Sequence, residues 1–134
     1  MGYVIDVLPA ADIDCLEALW RELLGHHLQG APHLAALGPA RAPEDSWRVR
    51  RAQYLRWLAA SRAAALVATS SGRLAGYAVV RVVEAAGSWR WGDEVGVLET
   101  LVVGSDDRGA RVGQALLEAA CHLPAAWDRG FAMT

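Results

Sequence analysis

Residues 95–117 read VGVLETLVVGSDDRGARVGQALL. The run from Glu94 to Val103 is almost wholly apolar and β-rich, which predicts a strand; Gly104 to Gly113 is polar and contains glycine, which predicts a loop. From Gly109 to about His122, Val112, Ala115, Leu116 and Ala119 recur at helical spacing, so a helix follows with one face turned to a sheet. Strand, loop and helix N-terminus in that order make a seat for an anion. The first turn of a helix leaves about four backbone N–H groups unpaired, and the aligned peptide dipoles place roughly half a positive charge there. The plainer alternative is a β-to-α connection with a glycine at its turn; the strand context favours the phosphate seat.

Upstream, Tyr3–Leu8 (YVIDVL) is a first strand stopped by Pro9, and Ala11–His27 carries Ile13, Leu16, Leu19, Trp20, Leu23 and Leu24 at helical spacing. The stretch from Gln29 to Pro43 has three prolines, two glycines and no period, and reads as a long loop. A second helix runs from Glu44 to Ala60, with acids in its first turn and Trp47, Tyr54, Leu55 and Leu58 turned inward. Ala64–Thr69 and Leu74–Glu84, joined by the SSGR turn at Ser70–Arg73, form a hairpin. After the connection Gly87–Asp93, the strand ending at Val103 completes an antiparallel meander. Pro124 is expected to end the last helix, and the remaining residues are too few to complete another strand. The 94–103 strand would then lack a neighbour, and unpaired edges recruit partners; a homodimer through this edge is expected, or chain beyond Thr134.

A chain of 134 residues fits one domain over residues 1–134 with a proper core. Hydrophobic residues at 54 % and charged residues at 21 % exclude disorder, and no apolar run is long enough to cross a bilayer. The N-terminus has no secretion-signal pattern, so a cytoplasmic protein away from membranes is expected. A net charge of −2 gives no global pull toward nucleic acid. All 13 basic residues are arginine, which points to a GC-rich bacterial coding bias. Cys15 and Cys121 lack metal or redox spacing and read as buried free thiols.

The order β-α-α-β-β-β-α, with an anion-cradling loop after the fourth strand, resembles the GNAT superfamily of N-acetyltransferases, which implies an α+β (layered α/β) fold with a mainly antiparallel mixed sheet flanked by helices. The family's acetyl-coenzyme A signature is Gln or Arg, two residues, Gly, one residue, then Gly or Ala; Arg108, Gly109, Ala110, Arg111, Val112 and Gly113 fall on it, five residues after Val103 begins the turn out of the strand. The specific part of the resemblance is Leu98–Leu117. It implies acetyl-CoA as co-substrate, with no metal, and an amine as acceptor. The backbone of Leu101, Val102 and Val103 would hold pantetheine, and Arg108, Gly109, Ala110, Arg111, Val112, Gly113 and Gln114 would hold the pyrophosphate. Glu99, at a position that is acidic in the small-amine branch, would be the general base. Two departures stand out: Arg111 replaces the first signature glycine, and the family's C-terminal strands, with a helix that often carries a tyrosine acid, are missing. A degenerate or non-catalytic module that binds coenzyme A or a protein is therefore the alternative to an enzyme.

Other side chains carry two readings. Glu99 is a base or a solvent-facing strand residue. Arg48, Arg50, Arg51 and Arg56 make a solvated helix face or, less simply, an anion site. His26, His27 and His33 suit a helix end better than a metal. Trp89 and Trp91 wall an acceptor site or a contact, Glu84, Asp93 and Glu94 form a solvated rim, and Tyr54 and Tyr77 are core residues rather than acids.

Overall fold

A computed structural model describes residues 3–30, 42–60, 62–84, 94–108, 111–127 and 132–133. In chain order these form β1 (Val4–Leu8), a 3-10 helix (Ala10–Leu16), α1 (Glu17–Gly30), α2 (Pro43–Ala60), β2 (Ala63–Ser70), β3 (Arg73–Glu84), β4 (Glu94–Val103), a 3-10 turn (Ser105–Asp107), α3 (Val112–Trp127) and β5 (Ala132–Met133). The sheet runs β1-β2-β3-β4-β5. Its first three pairings are antiparallel and the last is parallel. This is the expected α+β architecture.

The β2–β3 hairpin closes through Ser71 and Gly72 at φ 52° and 77°. Two consecutive left-handed residues match the right-handed twist of the flanking strands, which is why a Ser-Gly pair serves there. Successive residues of a strand face opposite sides, and β2 is apolar on both. Ala65 and Val67 join Ile13, Leu16, Leu19, Trp47, Tyr54, Tyr77 and Val79 under α1 and α2. Ala64, Leu66 and Ala68 join Ala78, Val80, Val112, Leu116 and Ala120 under α3. The result is three layers: two helices, the sheet and one helix.

A Cβ on Gly76 would stand 2.7 Å from the Val102 carbonyl oxygen of the neighbouring β4 and about 3.1–3.2 Å from the Leu116 and Val112 side chains of α3. Only glycine allows that approach.

Four expectations are corrected. The first helical segment opens as a 3-10 helix, with the Asp12 amide bonding the Pro9 carbonyl at 2.9 Å, and only then becomes α-helical. Pro124 does not end α3, which continues to Trp127; a proline's φ is itself helical, so it removes one backbone bond without forcing a stop. A fifth strand does form, short as it is: Ala132 and Met133 pair in parallel with Val95 and Gly96, so the β4 edge is covered at that end. Cys15 and Cys121 are both exposed rather than buried, because Cys15 sits beside the inward Leu16, and Cys121 beside the inward Ala120. Most of the expected loop from Gln29 to Pro43 and of the connection Gly87–Asp93, with His33, Trp89, Trp91 and Asp93, lies outside the described residues, as do the side chains of His27, Glu84 and Glu94.

Candidate active site on the fourth strand

The register of β4 against β3 slips at one point: Val79 faces Thr100, whereas Val80 faces Leu98, so Glu99 is an extra residue with no partner in the ladder. This is a β-bulge, and its effect is to break the alternation of faces. In a regular strand Glu99 and Thr100 would point to opposite sides. Here both meet the α2 side. Arg81 donates from Nε to Glu99 Oε1 at 3.1 Å, with the two side chains 28 % and 20 % exposed. Thr100 Oγ1 accepts from the Tyr54 hydroxyl at 2.8 Å.

Arg50, one helical turn before Tyr54, completes the arrangement. Its Nη2 donates to Thr100 Oγ1 at 2.6 Å and to the Glu99 carbonyl at 3.2 Å, and its Nη1 donates to Gln53 Oε1 at 2.9 Å. Its guanidinium carbon stands 5.2, 5.0 and 5.4 Å from the ring centres of Trp20, Tyr54 and Trp57, a cation held among three π faces. The Trp57 ring also carries Arg81, at 4.6 Å. Arg50 Nε is buried with no hydrogen-bond acceptor among the described residues, an arrangement that costs roughly 1–3 kcal/mol. Trp20, Leu23, Arg50, Glu99, Thr100 and Leu101 line a hollow of about 290 Å³.

Beneath it, the Tyr54 and Tyr77 hydroxyls are 3.0 Å apart. Since Tyr54 gives its proton to Thr100, Tyr77 donates to Tyr54. Burial, reinforced by Tyr54, pushes the Tyr77 hydroxyl far above the ordinary tyrosine range, so it stays protonated. Both rings are fully buried, as expected of core residues.

The loop leaving β4 is braced before it reaches the signature. The Gly104 amide bonds the Ala75 carbonyl, the Asp107 amide bonds the Gly104 carbonyl, and the Ser105 amide donates to Glu22 Oε1 at 2.5 Å. Asp107 is buried, and Arg73 grips both of its oxygens at 2.6 and 2.8 Å, with the Tyr3 hydroxyl at 3.5 Å. The hydrogen bonds and charge of Arg73 hold the Asp107 carboxyl below the usual carboxylate range; reciprocally, Asp107 raises Arg73.

Arg111 then takes φ 64°, the left-handed region that glycine occupies freely and other residues at a cost. It is exposed, as is Arg108. Val112 is buried against the sheet, a Cβ on Gly113 would touch Val103 at 3.4 Å, and Gln114 bonds Glu118 on the exposed face. Gly109 and Ala110 lie outside the described residues. Val102 is buried under α1 and α2, while Leu101 and Val103 are partly buried toward α3. Beyond Val95 and Gly96, no described strand pairs with the outer edge of β4.

Around Glu99 and the loop the structure places Arg50, Arg81, Thr100 and the Arg73–Asp107 pair, of which the sequence singled out only Arg50, as part of a solvated helix face or an anion site. A solvated face accounts for Arg48 and Arg51, whose ion pairs with Asp45 and Asp14 are at the surface, but not for Arg50. The signal was there: Trp47, Arg50, Tyr54 and Trp57 recur at three- and four-residue steps, so Arg50 lies on the buried stripe of α2. Among the described residues no group of three or more His, Cys, Asp or Glu is placed to hold a metal ion.

The sequence model described as "Acetyltransferase (GNAT) family" matches residues 20–132. The fold is similar to that of a GCN5-related N-acetyltransferase from Ralstonia eutropha, with TM-score 0.69 and 21 % identity over 99 % of this chain and 83 % of that one. It is similar also to AAC(6')-Iy in complex with the bisubstrate analogue CoA-S-monomethyl-acetylneamine, with TM-score 0.69 and 16 % identity over 100 % and 78 % of the two chains. A third likeness is to an aminoglycoside acetyltransferase from an uncultured soil metagenomic sample, with TM-score 0.64 and 19 % identity over 100 % and 78 %. Identities this low speak for the fold alone. No curated protein matches the sequence.

Proposed function

The chain belongs to the acetyltransferase (GNAT) family, and on that premise we propose that it is an acetyl-CoA-dependent N-acetyltransferase acting on a primary amine of a small molecule or peptide. The observation that carries this reading is the bulge in β4. It sets a carboxylate, Glu99, on the wall of a small hollow, at the strand whose outer edge has no described strand partner beyond Gly96 and whose end runs into the loop before α3.

Acetyl-CoA would fit this strand and loop. The outer edge of β4 from Leu101 to Val103 offers backbone groups for pantetheine, and Arg108 to Gln114, leading into the N-terminus of a 16-residue helix, offers N–H groups for pyrophosphate. The guanidinium of Arg111 adds a charge-assisted donor there. When bound, acetyl-CoA would supply a thioester whose carbonyl carbon accepts the amine lone pair and whose C–S bond then breaks, the sulfur leaving as the coenzyme A thiolate, which takes up the second proton of the amine nitrogen directly or through water. An amine of pKa near 10 is protonated in all but about one molecule in a thousand at pH 7, so a base must first remove a proton. Glu99 takes that proton, directly or through one water. A β4 backbone N–H at the outer edge supports negative charge on the carbonyl oxygen, a contribution of about a hundredfold to a thousandfold in rate. Tyr54 and Tyr77, buried and bonded to each other, do not protonate the leaving sulfur.

Calorimetric titration with acetyl-CoA and thiol release over a panel of amines test the proposal. Binding with turnover that falls about a hundredfold or more in Glu99→Gln supports it. Binding without turnover supports the alternative, a non-catalytic CoA-binding module. No binding refutes both. We place this activity in a single domain over residues 1–134, in the cytoplasm, and in a homodimer; light scattering that finds only monomers refutes the dimer.

A further inference from the structure

We propose that Arg50 is a positioning residue for Glu99: it holds the bulged peptide of β4 from the opposite layer and so sets where the Glu99 carboxylate stands. The inference rests on the reading of Glu99 as the base. A bulge removes one residue from the ladder, leaving its backbone groups without strand partners. Inside a protein such groups need another partner. Arg50 Nη2 supplies it to the Glu99 carbonyl at 3.2 Å and, with the same nitrogen, bonds the next side chain, Thr100 Oγ1, at 2.6 Å. One planar group thus spans both residues at the slip in register.

The guanidinium is itself held rigidly. Three rings surround it, and Gln53, one turn along α2, takes its other arm. Trp57, the third ring, also bears Arg81, which grips the Glu99 carboxylate at 3.1 Å. Backbone and side chain of Glu99 are therefore held by two arginines packed on one indole. A residue present only to fill this space would be apolar, because an aromatic cage accepts leucine or methionine without stranding a donor. Arg50 instead buries an Nε–H with no acceptor among the described residues. Its planar fork is what the bulge requires: a lysine ammonium is a point charge and cannot span the Gln53 and Thr100 arms with fixed geometry.

The test is a cycle of Arg50→Met, Glu99→Gln and the double variant, with Arg50→Lys as a second probe that keeps the charge and the packed stem, and Arg48→Met as a surface control. The measurements are kcat and KM for a turned-over amine, the acetyl-CoA dissociation constant by calorimetry, and near-UV circular dichroism for the packing of the rings. Arg50→Met should lower kcat about a hundredfold, as a misplacement of about 1 Å does, while the acetyl-CoA dissociation constant stays within about threefold. Arg50→Lys should keep the wild-type spectrum and still lose about tenfold in kcat. The double variant should be no slower than Glu99→Gln alone, since both changes remove one function.

Multiplicative losses in the double variant, or an Arg50→Lys enzyme with wild-type kcat, overturn the proposal and leave Glu99 as base intact. If Arg50→Met does not fold, the lysine variant alone and combined with Glu99→Gln decides in the same way. A Glu99→Gln enzyme at wild-type rate, or the absence of turnover with every amine, overturns the base reading and this proposal with it.

Discussion

Replacing Arg111 with glycine should stabilise the protein, although a glycine at the start of a helix ordinarily does the opposite. Arg111 sits at φ 64°, where the Cβ of an L-residue crowds its own carbonyl at a cost of about 1–2 kcal/mol. Its side chain is exposed and makes no hydrogen bond, ion pair or ring contact with a described residue, so little is lost with it. Against the relief stands the wider freedom of glycine in the unfolded chain, about 0.5–1 kcal/mol. The balance is a gain of about 0.5–1 kcal/mol, or about 2–4 °C in Tm for a chain of 134 residues. Arg111→Ala isolates the cause, because alanine removes the guanidinium and keeps the Cβ at the same φ. Urea unfolding of the three proteins should give equal slopes, with the midpoint raised for glycine and unmoved for alanine. A glycine variant no more stable than the alanine variant refutes the argument from backbone strain. Glycine, which the resembled signature carries at this position, would take that φ without the cost.

Other outcomes follow from single contacts. Gly76→Ala should cost about 1–3 kcal/mol in thermal or urea unfolding, since the new methyl meets the Val102 carbonyl at 2.7 Å and a backbone must move. Because the Asp107 carboxyl is held below its ordinary value near 4, the stability it contributes is complete above that value and is lost as pH falls through the lower folded one; urea midpoints between pH 5 and pH 2 should show a fall that Asp107→Asn reduces. Burial raises the Cys15 thiol, helped by Asp12 and Asp14, so at pH 7.5 Cys15 should react with iodoacetamide more slowly than free cysteine despite its exposure.

Elements with a strong local signal were legible. β4 ends at Val103 because the apolar run ends there, the hairpin turn falls at Ser71 and Gly72 because they accept positive φ, and α3 presents Val112 and Leu116 at the spacing that buries them. Ala120 joins them unannounced, because alanine declares no face by itself. The ending was misread for the same reason: a proline argues locally for a stop, and two residues are no strand until Val95 and Gly96 offer them a partner.

The site divides along the same line. Glu99 and the loop from Arg108 to Gln114 are contiguous with their strand and helix, so residue order alone placed them on one segment. Their surroundings are not local. Arg50 lies 49 residues from the carbonyl it bonds, and Arg73 lies 34 residues from Asp107. Whether an arginine on an amphipathic helix meets water or a caged peptide depends on which strand passes beneath it. What the sequence determined by itself was the order of elements, the strand-loop-helix segment and the carboxylate on its strand, because periodicity and turn chemistry act over a few residues. Only the tertiary structure decided that a bulge turns Glu99 and Thr100 to one face and that two arginines hold them there, because register is set by pairing between strands and no single strand contains it.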